Sequence, residues 1–507
     1  MSDRFPRADN VDIALLLEGT YPYVSGGVSS WVYHMIRSFP QYRFGAVFVG
    51  SRPEDYGEFR YEIPANLVHL EAHYLFDEAA QPSMAPEAGN AAGMEKIREL
   101  HQRFRAADNT PLAGETASLD FYLDATRGVD YRQFLRSHQA WQFITTQYER
   151  YCTDPSFVDY FWTVRNMHAP IWRLAQVARN LIPARAYHTV STGYAGLLGA
   201  LLSHNTGRPL VLSEHGIYTK ERRIDLLQSA WIRDNRNAFQ RDPTEISYYR
   251  SLWIRFFETL GRYCYEAAST VCSLYHEARD RQIADGAPAE RTRVIPNGIR
   301  ISHLAPIRTQ RPSPPPPVLC LLGRVVPIKD VRTFIRSLRV VVSAMPEAEG
   351  WIVGPTDEQP DYYEDCRNLV TTLGLNGKVK FLGFRQITEI LPQVGLLVLS
   401  SISEGLPLVL LEGFASGLPA VATDVGSCKQ LIFGAEGEDR ALGAAGDIVG
   451  IGNPQALADA CLGLLRDPAA WQRASEAAVT RVERYYTEEI MIGHYRAVYE
   501  RALAWRE

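Results

Sequence analysis

Short apolar runs alternate with helical patterns in two separate series along this chain of 507 residues. This alternation is typical of βα units, in which each strand is followed by a helix that packs on a parallel sheet. The first series begins at Val11 and includes the strand candidates FGAVFVG, NLVHLEA, AYHTVST, PLVLSEHG and STVCSL. The second includes PVLCLLGRV, GWIVGP, KVKFLGF, VGLLVLSS and LPAVATD. We therefore predict an α/β protein with two Rossmann-like domains.

The two series are separated by the segment RVIPNGIRISHLAPIRTQRPSPPPP, whose final prolines must stay extended. We predict an N-terminal domain over residues 1–300, a linker over 301–316 and a C-terminal domain over 317–485. Residues 486–507 are predicted to form a helix that could cross back to the N-terminal domain. Residues from about 75 to 165 show aromatic-rich helical patterns and no convincing strand, which predicts a helical insertion.

The expected position of a ligand follows from this architecture. Open α/β sheets bind ligands beyond the carboxyl ends of their strands. Two parallel sheets joined by a linker are therefore expected to face a central cleft lined by both sets of loops.

Composition excludes several classes of protein. The chain is 46% hydrophobic and 22% charged with a net charge of −5, which argues against disorder and against a nucleic-acid partner. Its seven cysteines are widely spaced without a C-x-x-C pair, so we expect neither disulfides nor a zinc site. Asp12 interrupts the only apolar segment near the N-terminus, and no later segment approaches a membrane span. We expect a cytoplasmic protein without direct membrane insertion.

A glycine pair lies at the first predicted strand-to-helix junction, in EGTYPYVSGGVSSWVYHMI. The apolar run Ile13 to Leu17 predicts a buried strand, and Gly26 and Gly27 precede the helix. One face of that helix would carry Val28, Trp31, Val32, Met35, Ile36 and Phe39. Glycines at such a junction let a ligand approach the unpaired N–H groups of the helix start. An ordinary turn is the alternative interpretation.

The segment LLVLSSISEGLPLVLLEGFASGLPAVATD predicts a strand, a loop and a helix that begins near Pro407. Glu404 and Glu412 are separated by seven residues and would flank the helix start. The start itself would offer the free N–H groups of Gly405, Leu406, Leu408 and Val409 to an anion. Carboxylates accept hydrogen bonds from sugar hydroxyls, so the pattern indicates a nucleotide sugar. A chance pair of glutamates is the alternative.

This segment resembles the E-x7-E signature of retaining glycosyltransferases of the GT-B fold, specifically glycosyltransferase family 4. Further segments match family landmarks in the same order: the Gly26–Gly27 loop, YHTVSTGYAGLLGALL, VLSEHG, VIPNG and LLGRVVPIKDV. With its insertion and the segment SEHGIYTKERRIDL, the chain is similar to the soluble glycosyltransferases of Pel exopolysaccharide systems. The resemblance implies a GT-B fold and a UDP-sugar donor.

The resemblance also implies roles for individual residues. Arg324 and Lys329, in LLGRVVPIKDV, would bind the donor diphosphate, Arg through two oxygens and Lys as a point charge. Glu412 would bind the ribose hydroxyls, and Glu404 those of the transferred sugar. His215 would contact the donor sugar. The backbone at Gly27 would approach the donor.

Other positions are weaker candidates or depart from the family pattern. Glu214, Arg222 and Arg223 could contact donor or acceptor, or could form a salt-bridged surface. Ser427 stands where many relatives have a second glycine, and Gln430 where they often have Glu.

The implied activity is that of a retaining hexosyltransferase that moves a hexose or N-acetylhexosamine from a UDP-sugar to a carbohydrate acceptor, without a cofactor. No Asp-x-Asp occurs in the sequence, so we expect no metal requirement. Retention could follow a front-face route or a covalent intermediate on a carboxylate. The alternative function is a sugar-nucleotide-binding subunit that docks to an inner-membrane polysaccharide synthase complex and regulates it. A dinucleotide oxidoreductase is disfavoured because the glycine loop lacks the G-x-G-x-x-G spacing.

Overall fold

A computed structural model describes residues 5–76, 87–106, 128–237, 239–242 and 244–505. The chain divides into two compact units. Unit 1 contains Met1–Ser273, Arg279–Arg293 and Arg496–Glu507, and unit 2 contains Leu274–Ala278 and Val294–Tyr495. The residues of the predicted linker, 301–316, fall within unit 2.

Unit 1 is built on a seven-stranded sheet with the order β3-β2-β1-β4-β5-β6-β7. Its strands are β1 Val11–Glu18, β2 Phe44–Gly50, β3 Leu67–Tyr74, β4 Ala184–Thr189, β5 Leu210–Glu214, β6 Ala268–Ser273 and β7 Thr292–Val294. Strands β1 to β6 pair in parallel. The order reverses between β1 and β4, which is the point where doubly wound sheets bind ligands.

The helices of unit 1 cover the sheet. They are α1 Gly27–Ser38, α2 Ala91–Ala106, α3 Tyr131–Arg136, α4 His138–Tyr151, α5 Phe157–Asn180, α6 Tyr194–Thr206, α7 Tyr218–Gln228 and α8 Tyr248–Ala267. Helix α1 buries Trp31, Val32, Met35 and Ile36, so the predicted apolar face is confirmed. The following helix, α9 His276–Ala284, contains residues of both units.

The predicted insertion falls on the segment that contains α2 to α4 and the first part of α5. Helix α5 continues to Asn180, past the predicted end of the insertion near residue 165. Residues 77–86 and 107–127 of the predicted insertion lie outside the described part of the chain. The described helices of this segment share an aromatic core with the helices that cover the sheet. In this core, Phe104 of α2 contacts Phe256 of α8 edge to face at a centroid distance of 4.9 Å.

Unit 2 repeats the same strand order in a six-stranded parallel sheet, β10-β9-β8-β11-β12-β13. Its strands are β8 Val318–Leu322, β9 Glu349–Val353, β10 Val379–Gly383, β11 Leu396–Leu399, β12 Ala420–Thr423 and β13 Gly446–Val449. The strands predicted in both series are confirmed. The short edge strand β13 carries no apolar run and was not predicted.

The helices of unit 2 follow the same βα alternation. They are α10 Ile307–Gln310, α11 Val331–Ala344, α12 Pro360–Thr372, α13 Ile387–Ile390, α14 Leu408–Ala415, α15 Cys428–Phe433, α16 Glu438–Ala441, α17 Pro454–Arg466 and α18 Pro468–Tyr485. The last helix, α19 Glu488–Leu503, contains residues of both units. The switch point of this sheet lies between β8 and β11.

The residues of the predicted linker are folded onto unit 2. The Arg311 guanidinium donates to the carbonyls of Leu391, Val394 and Ser416 at 2.9–3.1 Å. Burial lowers the pKa of Arg311 to about 10. At the other end of the chain, residues from 496 onward belong to unit 1, where the Tyr499 hydroxyl lies 2.8 Å from His188 Nδ1.

Candidate functional site

Lys329 and Glu404 contact each other at the carboxyl edge of the unit 2 sheet. Lys329 Nζ lies 2.5 Å from Glu404 Oε1, and both side chains are largely shielded from solvent. The Ser401 hydroxyl donates to the same carboxylate oxygen at 2.6 Å. Lys329 follows β8 and Glu404 follows β11, and these strands are neighbours across the switch point. The fold therefore joins two predicted site residues that are 75 positions apart in sequence.

The backbone around Lys329 is held in an unusual conformation. Asp330 adopts a left-handed conformation at φ 42°, and its carboxylate caps α11 by accepting from Thr333 N. A β-carbon forces most residues out of this region, so the conformation needs support from neighbouring structure. The buried Ser400 hydroxyl lies 3.0 Å from the carbonyl oxygens of both Lys329 and Asp330. The residue that follows β11 thus fixes the lysine loop directly.

Helix α14 (Leu408–Ala415) begins without a side-chain cap in the part of the chain that the structure describes. Its N-cap residue is Pro407. The structure places four predicted groups there, the N–H groups of Gly405, Leu406, Leu408 and Val409. Such N–H groups and the helix dipole favour an anion.

Glu412 lies on the same helix and is mostly buried. Among the described residues, its carboxylate has no hydrogen-bond partner, and burial raises its pKa from 4.5 to about 7. An isolated buried carboxyl is unfavourable when ionised. The group can accept hydrogen bonds from ligand hydroxyls.

Arg324 pairs with the carboxylate of Glu358, which was not among the predicted site residues. Its Nη1 lies 2.7 Å from both carboxylate oxygens of Glu358, and both side chains are about half exposed. Arg324 and Lys329 are therefore paired with two different glutamates. A diphosphate that binds Arg324 would have to compete with Glu358.

Two weaker positions of unit 2 have structural contacts. Ser427 N donates to the carbonyl of Gly405, which ties the turn after β12 to the Glu404 loop. The Ser427 hydroxyl is buried and has no partner within the described ranges. Gln430 accepts from His276 N at 3.1 Å and donates to the Tyr486 hydroxyl at 3.2 Å, so its amide is occupied.

Gly26 and Gly27 are exposed at the start of α1 in unit 1. A β-carbon built at either position meets no atom within 4 Å. Gly26 is extended, with φ 168°, a conformation open to any residue. Neither packing nor backbone geometry therefore requires glycine at these positions.

His215 follows β5 and contacts helix α1 through Trp31. The two rings meet edge to face at a centroid distance of 4.6 Å. His215 Nε2 is buried and has no hydrogen-bond partner among the described residues. Burial lowers the pKa of His215 to about 4, so the imidazole is neutral at neutral pH. The structure thus brings the predicted glycine helix and the predicted histidine together in unit 1.

Glu214, the neighbour of His215, is fully engaged inside the protein. It accepts from the Tyr265 hydroxyl at 2.7 Å, Gln282 Nε2 at 2.9 Å, the Thr192 hydroxyl at 3.2 Å and Tyr218 N at 3.3 Å. Burial raises its pKa despite these four donors. This carboxylate is structural.

The two arginines proposed as weaker candidates have protein partners as well. Arg222 stacks over the Phe257 ring at 4.8 Å and donates to the Tyr218 hydroxyl at 3.2 Å. Arg223 lies 3.9 Å from Glu258 in a partly exposed pair.

Sequence reasoning missed Glu18, at the carboxyl end of β1. Its carboxylate accepts from the Tyr218 hydroxyl at 3.0 Å, the Ser191 hydroxyl at 3.3 Å and Ala195 N at 3.1 Å. It therefore occupies the start of α6 (Tyr194–Thr206), whose N-cap Gly193 provides no side chain. An acidic residue that ends the apolar run IALLLE was the available signal.

Two structural features are absent from the described residues. These residues contain no cluster of three or more His, Cys, Asp or Glu side chains arranged to hold a metal ion. In the same ranges, no helix is both long and apolar enough to cross a bilayer. All seven cysteines are unpaired thiols.

Two family descriptions match consecutive parts of the chain. Residues 11–290 match "Domain of unknown function (DUF3492)", and residues 316–467 match "Glycosyl transferases group 1". The second match includes Arg324, Lys329, Glu404 and Glu412.

Curated relatives match over part of their length. Exopolysaccharide phosphotransferase SCO2592 of Streptomyces coelicolor is 32% identical over 208 residues, 41% of this chain and 20% of the relative. Lipopolysaccharide core biosynthesis glycosyltransferase LpsE of Rhizobium meliloti is 29% identical over 180 residues, 35% of this chain and 48% of the relative. The chain thus spans less than half the length of these relatives.

A solved structure matches nearly the whole chain. Anabaena Alr3699/HepE, crystallised with UDP, is 16% identical, with 97% of this chain and 100% of that chain covered at a TM-score of 0.54. It has also been crystallised with UDP and glucose and with UDP-glucose. This likeness confirms the predicted GT-B fold. The chain belongs to the family described as Domain of unknown function (DUF3492), and its residues 316–467 match the description Glycosyl transferases group 1.

Proposed function

We propose that this protein is a retaining glycosyltransferase that moves a hexose or N-acetylhexosamine from a UDP-sugar to a hydroxyl of a carbohydrate acceptor. We place the reaction in exopolysaccharide biosynthesis of the Pel type, in the cytoplasm. One observation carries the proposal: Lys329 and Glu404 are in contact beside the uncapped start of α14. Both lie within the residues that match glycosyl transferases group 1.

The proposed donor site uses groups with complementary chemistry. Lys329, Arg324 and the N–H groups from Gly405 to Val409 bind the diphosphate. Glu412 accepts from the ribose hydroxyls and Glu404 from the hydroxyls of the transferred sugar. The UDP and UDP-glucose complexes of HepE, a protein of the same fold, support uridine as the nucleoside.

We propose further roles for the predicted positions of unit 1. The open space above Gly26 and Gly27 suits a ligand that approaches the backbone. His215, with a buried unpartnered Nε2, supplies one hydrogen bond to the donor sugar.

In the proposed step, the bond between the anomeric carbon and the β-phosphate oxygen breaks, and the acceptor oxygen bonds to the anomeric carbon. The hydroxyl proton passes to the departing phosphate oxygen. We propose a front-face route, because Glu404 is assigned to the hydroxyls of the transferred sugar and not to its anomeric carbon. Lys329 and the helix start stabilise the charge on the leaving UDP.

The proposed reaction needs no metal ion, because two cationic side chains and a helix start face the leaving diphosphate. We expect full activity after treatment with a chelator. Activity that is lost in chelator and restored by manganese would contradict this proposal.

The test is UDP release from UDP-sugars by the wild type and by Glu404→Ala. The matched control is Glu349→Ala, which removes a carboxylate from another lysine pair of unit 2, with Lys380 Nζ at 2.6 Å. We expect UDP release to fall only in Glu404→Ala. Equal rates in all three proteins would favour the alternative, a binding subunit that docks to a membrane polysaccharide synthase complex.

The donor and the stereochemistry need separate measurements. A thermal-shift screen across UDP-, GDP- and ADP-sugars should show stabilisation by UDP-sugars, in proportion to concentration over the dissociation constant. Nuclear magnetic resonance of the product should show the anomeric configuration of the donor. An inverted product would exclude the retaining mechanism.

A further inference from the structure

The Glu404 carboxylate is held by two donors that converge on one oxygen. Lys329 Nζ and the Ser401 hydroxyl lie 2.5 Å and 2.6 Å from Oε1. Among the described residues, Oε2 receives no hydrogen bond. The carboxylate is thus oriented from one side and keeps one oxygen for a ligand hydroxyl.

The two groups that donate hydrogen bonds to Glu404 have different roles when the nucleotide sugar binds. In the proposed function, Lys329 turns its charge toward the diphosphate, so its contact with Glu404 weakens. Ser401 has no proposed interaction with the diphosphate. Its hydroxyl is the donor that remains on Glu404 in the substrate complex.

Ser401 is well placed to hold this position. It is 1% exposed and lies two residues after the end of β11, so its rotamer is restricted by packing. The Thr423 hydroxyl, at the end of the neighbouring strand β12, donates to the Ser401 carbonyl at 2.6 Å. The preceding residue, Ser400, holds the Lys329 loop by contacts of 3.0 Å to two carbonyl oxygens. One strand end therefore fixes both partners of the ion pair.

We propose that Ser401 is a positioning residue that keeps the Glu404 carboxylate aimed at the transferred sugar while Lys329 engages the diphosphate. This inference rests on the proposed function and adds a residue to its site. Ser401 acts through Glu404 and does not touch the reacting atoms.

The test is Ser401→Ala, compared with wild type and with Ser416→Ala. Ser416 is a matched control, because its hydroxyl is equally buried and donates to Gly413 O at 2.7 Å at the other end of α14. Measurements are kcat and KM for UDP release, the dissociation constants of UDP and of the UDP-sugar, and thermal stability.

We expect Ser401→Ala to lower kcat about tenfold, the effect of losing a hydrogen bond to a charged group. The affinity for UDP should stay within about twofold of wild type, because UDP lacks the sugar that Glu404 contacts. The affinity for the UDP-sugar should fall relative to that for UDP. A general loss of structure would weaken both ligands equally.

Two results would overturn the inference in different ways. If the wild type is active and Ser401→Ala matches Ser416→Ala in kcat and in the ratio of the two affinities, Ser401 has no positioning role. If the wild type neither binds a UDP-sugar nor releases UDP, the proposed function itself fails, and this inference fails with it.

Discussion

Glu214 in unit 1 is a buried carboxyl group and Glu412 in unit 2 is a partly buried one, and their hydrogen bonding is opposite. Glu214 accepts four hydrogen bonds from the protein. Glu412 accepts none from the described residues, and burial raises its pKa to about 7. A carboxylate saturated by protein donors stabilises the fold, whereas an unsatisfied one keeps its hydrogen-bonding capacity for a ligand.

Two helix starts show the same contrast. The start of α6 is occupied by the Glu18 carboxylate, which accepts from Ala195 N. The start of α14 has no side-chain cap and lies beside Lys329 and Glu404. Equivalent strand-to-helix junctions are therefore capped by a carboxylate in one place and uncapped in the other, and the uncapped one lies in the segment predicted to bind the donor.

The largest expected effect is the loss of UDP release in Lys329→Ala, the variant that removes the cation beside the uncapped start of α14. UDP release should fall about 10²–10³-fold, the range seen when one stabilising group is removed from a developing charge. The control is Lys380→Ala, which breaks the pair with Glu349 on the same sheet. A loss of similar size in both variants would contradict the special role of Lys329.

Removal of the Glu214 carboxylate, which accepts four hydrogen bonds, should lower the stability of the fold rather than the activity. Glu214→Ala leaves the Tyr265, Gln282 and Thr192 donors without their acceptor, so we expect a loss of about 3 kcal/mol in the free energy of unfolding. Thermal or urea unfolding measures it, with the exposed Asp225→Ala as control. Unchanged stability together with lost donor binding would reverse the assignment of Glu214 as structural.

The substitution Glu412→Gln should change how the free energy of unfolding depends on pH, because it removes a carboxyl group that has no hydrogen-bond partner among the described residues. The raised pKa means that the neutral carboxyl favours the fold below pH 4.5, and this contribution is lost as the pH rises through 7. The variant avoids that loss, so its unfolding free energy should exceed that of wild type by about 2–3 kcal/mol at pH 8. At pH 4 the gain should disappear. A difference that is the same at both pH values would show that the burial of Glu412 has no electrostatic consequence.

The substitution Gly27→Ala tests whether the glycine is required for donor binding or for folding. A β-carbon there meets no atom of the protein, and alanine favours a helix, so stability should rise by about 0.5 kcal/mol. Donor affinity should fall about tenfold if the substrate approaches this backbone. Calorimetry with the donor and a melting curve give both numbers. Unchanged affinity would leave the glycine pair as an ordinary turn.

The smallest effect concerns the exposed pair of Arg324 with Glu358. Glu358→Gln removes the competitor for the guanidinium, so KM for the donor should fall about twofold, in line with the weakness of exposed ion pairs. Steady-state kinetics measure it, with Asp357→Asn as control. A higher KM would indicate that Glu358 itself assists the donor.

Much of the fold could be predicted from local pattern. The apolar runs of both series mark the strands, because a strand buried on both faces needs nearly continuous apolar residues. Strand β13 escaped this rule as a four-residue edge strand that begins with Gly446 and Asp447. The sequence also pointed to Lys329 and Glu404, which the structure brings into contact, and their roles in binding a donor stay predictions.

By itself, the sequence determined the fold class, the two βα series and the segments that carry the candidate donor site, because these depend on periodicity and on short motifs. Only the tertiary structure decided which polar groups are saturated. Glu18 and Tyr218 are 200 positions apart, and Lys329 and Glu404 are 75 apart. Hydrogen-bond partners at such separations meet only when the strands are ordered in a sheet, and that order distinguishes a closed helix start from an open one.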